Sequence, residues 1–129
     1  MDLIVDNIKW IMLVSGLLTL TMLRGVFSPM AQQRTLFGEA LEGPVADVIV
    51  RSWAMLIATN AAFLIYGAYE PKHRGLILLL AGLGKLGFIV LVLAQGSRFL
   101  RHQAGLAVAL DGLMVALFAA YLAATGFLF

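Results

Sequence analysis

The chain has 129 residues, of which 62% are hydrophobic and 12% charged, and its net charge is +2. An ordinary soluble domain holds roughly 45–50% apolar and about 25% charged residues, so lipid is expected to be the solvent for much of this surface. The nine basic residues are scattered through every segment and form no stripe, which argues against nucleic acid as a partner. Cysteine is absent, which removes disulfides, thiolate metal sites, iron–sulfur clusters and thiol redox chemistry together.

The first seven residues carry Asp2 and Asp6 and no Lys or Arg. Secretory signals open on a basic segment, so the first apolar run is expected to be retained as a span. It reaches from about residue 8 to residue 26, and three more follow at about 45–69, 75–94 and 104–128. Each is near or above the ~20 residues that cross ~30 Å of hydrocarbon at about 1.5 Å per residue. The runs at 76–80 (LILLL) and 88–93 (FIVLVL) do not alternate in polarity, as barrel strands would. Only helices satisfy their own backbone one segment at a time. The expected fold is an all-α integral membrane protein, one domain over 1–129, with four transmembrane helices running up and down.

Glu70-Pro71-Lys72-His73-Arg74 is a tight turn in which Pro71 ends the second helix, and the short polar link at 95–103 joins the third helix to the fourth. The first connection is longer. Ser28-Pro29 has the form of an N-cap followed by proline at the first helical position, and Gly43-Pro44 is a stop. Between them Leu36, Phe37, Ala40 and Leu41 fall on one helical side, with Gln33, Arg34, Glu39 and Glu42 largely elsewhere. That pattern predicts a short interfacial helix over 29–42; an irregular loop is the alternative. Four crossings would put both termini on one side with Lys9, Lys72 and Arg74, opposite Arg24, Arg34, Arg98 and Arg101. This difference in positive charge is too slight to orient the chain. A small-residue stripe at Gly105, Ala109, Gly112, Ala116, Ala120 and Ala123 would let another helix approach, either inside the bundle or at a dimer seam.

Few residues inside the spans could carry chemistry. Lys85 lies near mid-membrane and Asp111 is the acidic residue well inside an apolar segment. Charge there is costly and seeks a partner in the bundle interior. Counted from the middle of the 95–103 link, the two Cα depths differ by only ~3 Å at ~1.5 Å per residue, within reach of a lysine side chain. Arg51 lies at a similar depth on the second helix, with Asp47 four residues before it in the favourable order for an intrahelical pair. A cluster of Asp47, Arg51, Lys85 and Asp111 therefore reads either as two ion pairs that fix helix register or as a ligand- or proton-handling site. Asn60, nine residues from Arg51 at about 100° each, falls on the opposite face of that helix and is expected to bond a neighbouring helix. The glycines at 82, 84 and 87 strip bulk from around Lys85, which permits either close helix packing or a small cavity beside the ammonium. Such a cavity would open from the long-loop side beneath the 29–42 helix.

Trp10, Trp53, Tyr66, Tyr69 and Tyr121 lie mostly toward span ends, where interfacial aromatics belong. His73 and His102 fall in opposite connections and cannot jointly ligate a haem inside the membrane. There is no nucleophile-plus-base pattern, phosphate loop or carboxylate dyad, so no catalytic residue, metal or cofactor is expected.

The pattern Glu42-Gly43-Pro44, Val50-Arg51-Ser52-Trp53, Tyr66-Gly67-Ala68, Ala81-Gly82-Leu83-Gly84-Lys85 with Phe88, and Ala107-Val108-Ala109-Leu110-Asp111 resembles the DoxX-like group of small bacterial membrane proteins. The resemblance covers nearly the whole chain and implies four transmembrane helices in a bacterial inner membrane. For most members it implies no established activity; some are linked to oxidoreductase complexes, although this chain offers no redox residue. Small multidrug exporters need a carboxylate in the first span, where this chain has only Ser15, Thr19 and Thr21. The leading expectation is a non-enzymatic membrane subunit or binding protein. Its partners would be the bilayer, a homo-oligomer or larger complex, or a small apolar or anionic-headgroup ligand. A transporter or channel working through Asp111, Lys85 and Arg51, and a redox-associated membrane component, are the alternatives.

Overall fold

The computed structural model describes residues 2–127, so the predicted fourth span's last position, residue 128, lies outside it. Among the described residues all regular secondary structure is helical, with no strand: α1 (Asp2–Asp6), α2 (Ile8–Leu20), α3 (Arg24–Phe27), α4 (Pro29–Phe37), α5 (Pro44–Tyr69), α6 (Arg74–Leu93) and α7 (Gln103–Ala124). A 3₁₀ turn at Thr21–Leu23 joins α2 to α3, so Ile8–Phe27 runs as one helix. The Thr21 hydroxyl donates to the Leu18 carbonyl at 2.6 Å, a back-bond that tightens and bends helices at such positions.

Four helices are long and apolar enough to cross a membrane: Ile8–Phe27, Pro44–Tyr69, Pro71–Leu93 and Gln103–Ala124. Their boundaries follow local chemistry. Pro44 opens α5 without needing an N–H partner, after Gly43 turns the chain at φ 104°. Its other end is closed by Arg74, whose guanidinium donates to the Gly67 carbonyl at 3.0 Å and the Ala68 carbonyl at 2.8 Å. No more than 28% of any span's apolar window is buried, and each helix leaves large apolar side chains exposed. Leu17, Leu56, Leu80 and Leu113 are examples, one from each span.

The helices group in two pairs. The first span packs along α5, and α6 packs along α7, with fewer contacts between the pairs. In the first pair the fit is close. Val50, Ala54, Ala58 and Ala61 form a buried small-residue ridge on α5, and Gly16 meets it so tightly that a Cβ would stand 3.0 Å from the Ala61 carbonyl oxygen. Lipid offers no hydrophobic drive for helix association, so contact of this kind holds the pair. The two pairs meet in a core of Ile8, Met12, Leu64, Ala68, Leu78, Ala81, Met114, Phe118 and Leu122. These residues lie early in the first and third spans and late in the second and fourth. The core therefore occupies one half of the bundle's length.

Two sequence expectations are corrected here. The helix predicted over 29–42 ends at Phe37, because Gly38 takes the left-handed conformation at φ 79° that caps helices. Ala40 and Leu41 are consequently not on it, and its buried residues are Pro29, Gln32, Gln33 and Leu36. It rests against α3, α5 and α7 rather than presenting a free apolar face. Of the two readings of the α7 stripe, packing within the bundle is not met over most of its length: Ala109, Ala116 and Ala123 are exposed and a Cβ on Gly112 would meet nothing within 4 Å, while Gly105 abuts the Leu100 backbone.

Candidate functional site

The half of the bundle that the core leaves unfilled holds a cavity of about 720 Å³. All four spans contribute to its wall, represented by Thr19, Trp53, Asn60, Lys85 and Asp111, and α4 covers it with Gln32 and Leu36. The rest of the lining is mainly apolar, including Leu64, Phe88, Leu91 and Leu106.

Lys85 and Asp111 meet across α6 and α7. Lys85 Nζ lies 3.0 Å from Asp111 Oδ1 and donates a second hydrogen bond to Thr19 Oγ1 at 2.8 Å. The lysine side chain is 9% exposed and the aspartate 19%. A lone charge at the centre of a membrane helix costs about 2.5–3.5 kcal/mol, and the carboxylate and hydroxyl together offset that cost for the ammonium. Thr19 was visible in the sequence only as one of three polar residues in the first span. Nothing in its spacing showed that it would face Lys85.

Hydrogen-bonding capacity is left over. An ammonium has three donors, of which two are used, and a carboxylate has two acceptor oxygens, of which only Oδ1 is engaged among the described residues. Asn60 also lines the cavity, half-buried, and faces α6 at Gly84, where an added Cβ would lie 3.6 Å from the amide nitrogen. Its amide makes no side-chain hydrogen bond among the described residues, so the expected bond to a neighbouring helix is not formed. Gly84 and Gly87, both exposed, line the cavity at its open edge, and a Cβ on Gly87 would meet nothing within 4 Å. Of the two readings of the glycine run, these positions fit the cavity; Gly82 instead lies at ordinary contact distance from Phe118.

Arg51 and Asp47 do not join this site. Arg51 Nε lies 3.0 Å from Asp47 Oδ1 on the exposed side of α5, and Arg51 Nη1 donates to the Val26 carbonyl at the end of the first span. The expected four-residue cluster is therefore two separate pairs. The reason is rotational: Asn60 and Arg51 fall on opposite faces of α5, and the face turned to the cavity carries Trp53, Ile57, Asn60 and Leu64. The second cation near the cavity is Arg24, at the end of the first span, whose Nη2 donates to the Thr35 hydroxyl of α4 at 2.9 Å.

Helix α4 is fastened over the cavity at several points. The Phe37 ring lies 6.4 Å from that of Trp53 and 5.2 Å from that of Phe99, edge-on to the latter. Glu39 pairs with Arg98 at 2.8 Å, and Gly38 lies against the His102 ring with no room for a Cβ. Trp53, expected as an interfacial anchor, thus stands between the cover helix and the cavity. No protein-family model, curated protein or solved structure matches the chain.

Proposed function

We propose that the chain is a multi-pass cell-membrane protein whose four spans alternate in direction, and that it binds a small amphipathic molecule taken from the bilayer without transforming it. The outward apolar faces and the four spanning-length helices support the first part. The core supports the alternation, since it joins early residues of the odd-numbered spans to late residues of the even-numbered ones.

The observation that carries the binding reading is the cavity itself. Ligand sites are concave, about 300–1,000 Å³, mostly apolar, and hold a few convergent polar groups. Here about 720 Å³ of mainly apolar space closes on Lys85, Asp111 and Asn60, with unspent donors and acceptors among them. A purely structural ion pair needs a partner and packed walls; it does not need a cavity beside it. The DoxX-like kinship belongs to the same proposal, because its motifs at 81–85 and 107–111 supply facing walls of this cavity.

Native mass spectrometry of the protein extracted from its membrane tests the reading. A defined small molecule should remain with the natural chain and be lost from Gly87→Phe, whose ring would occupy the open space. Equal retention by both, or none by either, would overturn it.

A further inference from the structure

Resting on the reading of the cavity as a ligand site, we infer that its occupant carries an uncharged head that both donates and accepts hydrogen bonds, such as an alcohol or a primary amide on a long apolar chain. The argument begins with charge. Lys85 and Asp111 form a one-to-one pair 3.0 Å apart, so the inner end of the cavity is already balanced. An anion placed there would oppose Asp111 and a cation would oppose Lys85, in surroundings where an unbalanced charge is poorly screened. Neither carries its own compensation.

Hydrogen-bonding capacity narrows the class further. Among the described residues, what remains open is one Lys85 N–H, the Asp111 Oδ2 oxygen and the Asn60 amide, which offers both a donor and an acceptor. An ether or ester could only accept, leaving Asp111 Oδ2 unmet. A hydroxyl or primary amide accepts from Lys85 and donates to Asp111 at once. Arg24, the other cation of the lining, is exposed near the end of the first span, five residues beyond Thr19, so its charge lies about 7 Å along the helix from the Lys85–Asp111 end. The apolar chain would lie along Phe88, Leu91 and Leu106, with Trp53 beside it.

Trp53 supplies the readout. The chain has two tryptophans, and Trp10 is 60% exposed on the outside, so Trp10→Phe leaves the cavity residue as the only indole. Four brominated long-chain probes differing only in the head would be titrated in alkaline buffer: alcohol, primary amide, ionised carboxylate and quaternary ammonium. The expected result is half-maximal Trp53 quenching by the alcohol and amide at concentrations at least ~10-fold lower than by the charged probes. Adding Gly87→Phe should abolish this quenching, and the double change Lys85→Met with Asp111→Leu should erase the head-group preference while quenching persists. Tighter binding of the carboxylate or the ammonium, or equal binding of all four, overturns the inference but leaves the cavity as a ligand site. No quenching by any probe, or quenching unchanged by Gly87→Phe, overturns the ligand site as well.

Discussion

Lys85 of the third span donates to Asp111 of the fourth across 3.0 Å, and both side chains face the cavity. Removing either partner leaves an uncompensated charge in the bundle, whereas removing both leaves none. Lys85→Met and Asp111→Leu are each expected to cost about 1–3 kcal/mol of unfolding free energy, and the double variant should recover most of that loss. Unfolding in mixed detergent measures it; additive losses would contradict the coupling.

Thr19 is the second partner of the same ammonium, at 2.8 Å. Thr19→Val keeps the shape and removes the acceptor, with an expected cost of about 1 kcal/mol, since interhelical hydrogen bonds in membranes average ~0.6 and reach ~1.7 kcal/mol. In a Lys85→Met background the same change should cost almost nothing. Thr19→Ser, which keeps the hydroxyl, should retain the Lys85 interaction.

Two helical glycines should respond in opposite directions. A Cβ on Gly16 would stand 2.7 Å from Ile65 Cγ1 and 3.0 Å from the Ala61 carbonyl oxygen, so Gly16→Ala should pry the first span from α5 at a cost of about 1–3 kcal/mol. A Cβ on Gly87 enters open space, so Gly87→Ala should be neutral or stabilise by up to ~1 kcal/mol through helix propensity. Parallel denaturation curves of the two variants decide it. A loss at Gly87 matching that at Gly16 would mean that α6 is packed there.

Heights along the helices were legible in the sequence; rotations about them were not. Hydrophobic runs bounded by Pro, Gly and charge placed most span boundaries within one or two residues of α5, α6 and α7, and counting residues from the 95–103 link put Lys85 level with Asp111. Arg51, one to two turns into the second helix from the long-loop side, falls at a similar depth, yet it lies outside the cavity. The buried Val50, Ala54, Ala58 and Ala61 ridge sets the phase of α5, and that ridge can be chosen only when the shape of its partner is known. Helix geometry sets Arg51 and Asn60 on opposite faces of α5, but it does not say which of the two faces inward. The α7 stripe illustrates the same gap, since small residues at helical spacing show where a helix could approach and not whether one does. Gly38 is a different case. The apolar spacing continues past it to Leu41, but a glycine is the residue that most readily takes the left-handed cap, and Gly38 does so at φ 79°.

The most direct test of the central claim reads occupancy at one atom of the cavity wall. The chain has no cysteine, so Gly87→Cys places a single thiol on the cavity's open edge and Ala116→Cys a single, equally exposed thiol on α7 outside the cavity. Each variant would be reconstituted in vesicles and labelled with an uncharged, membrane-permeant maleimide. The labelling rate would be followed as a long-chain alcohol, and in a separate series a long-chain acid, is added. A cavity that takes an amphipathic ligand predicts saturable slowing, several-fold or more, at position 87 by at least one of the two compounds, with the rate at 116 unchanged. Rates that stay constant at both positions, or fall in parallel at both, would contradict the account and leave Lys85 and Asp111 as a scaffold for the bundle.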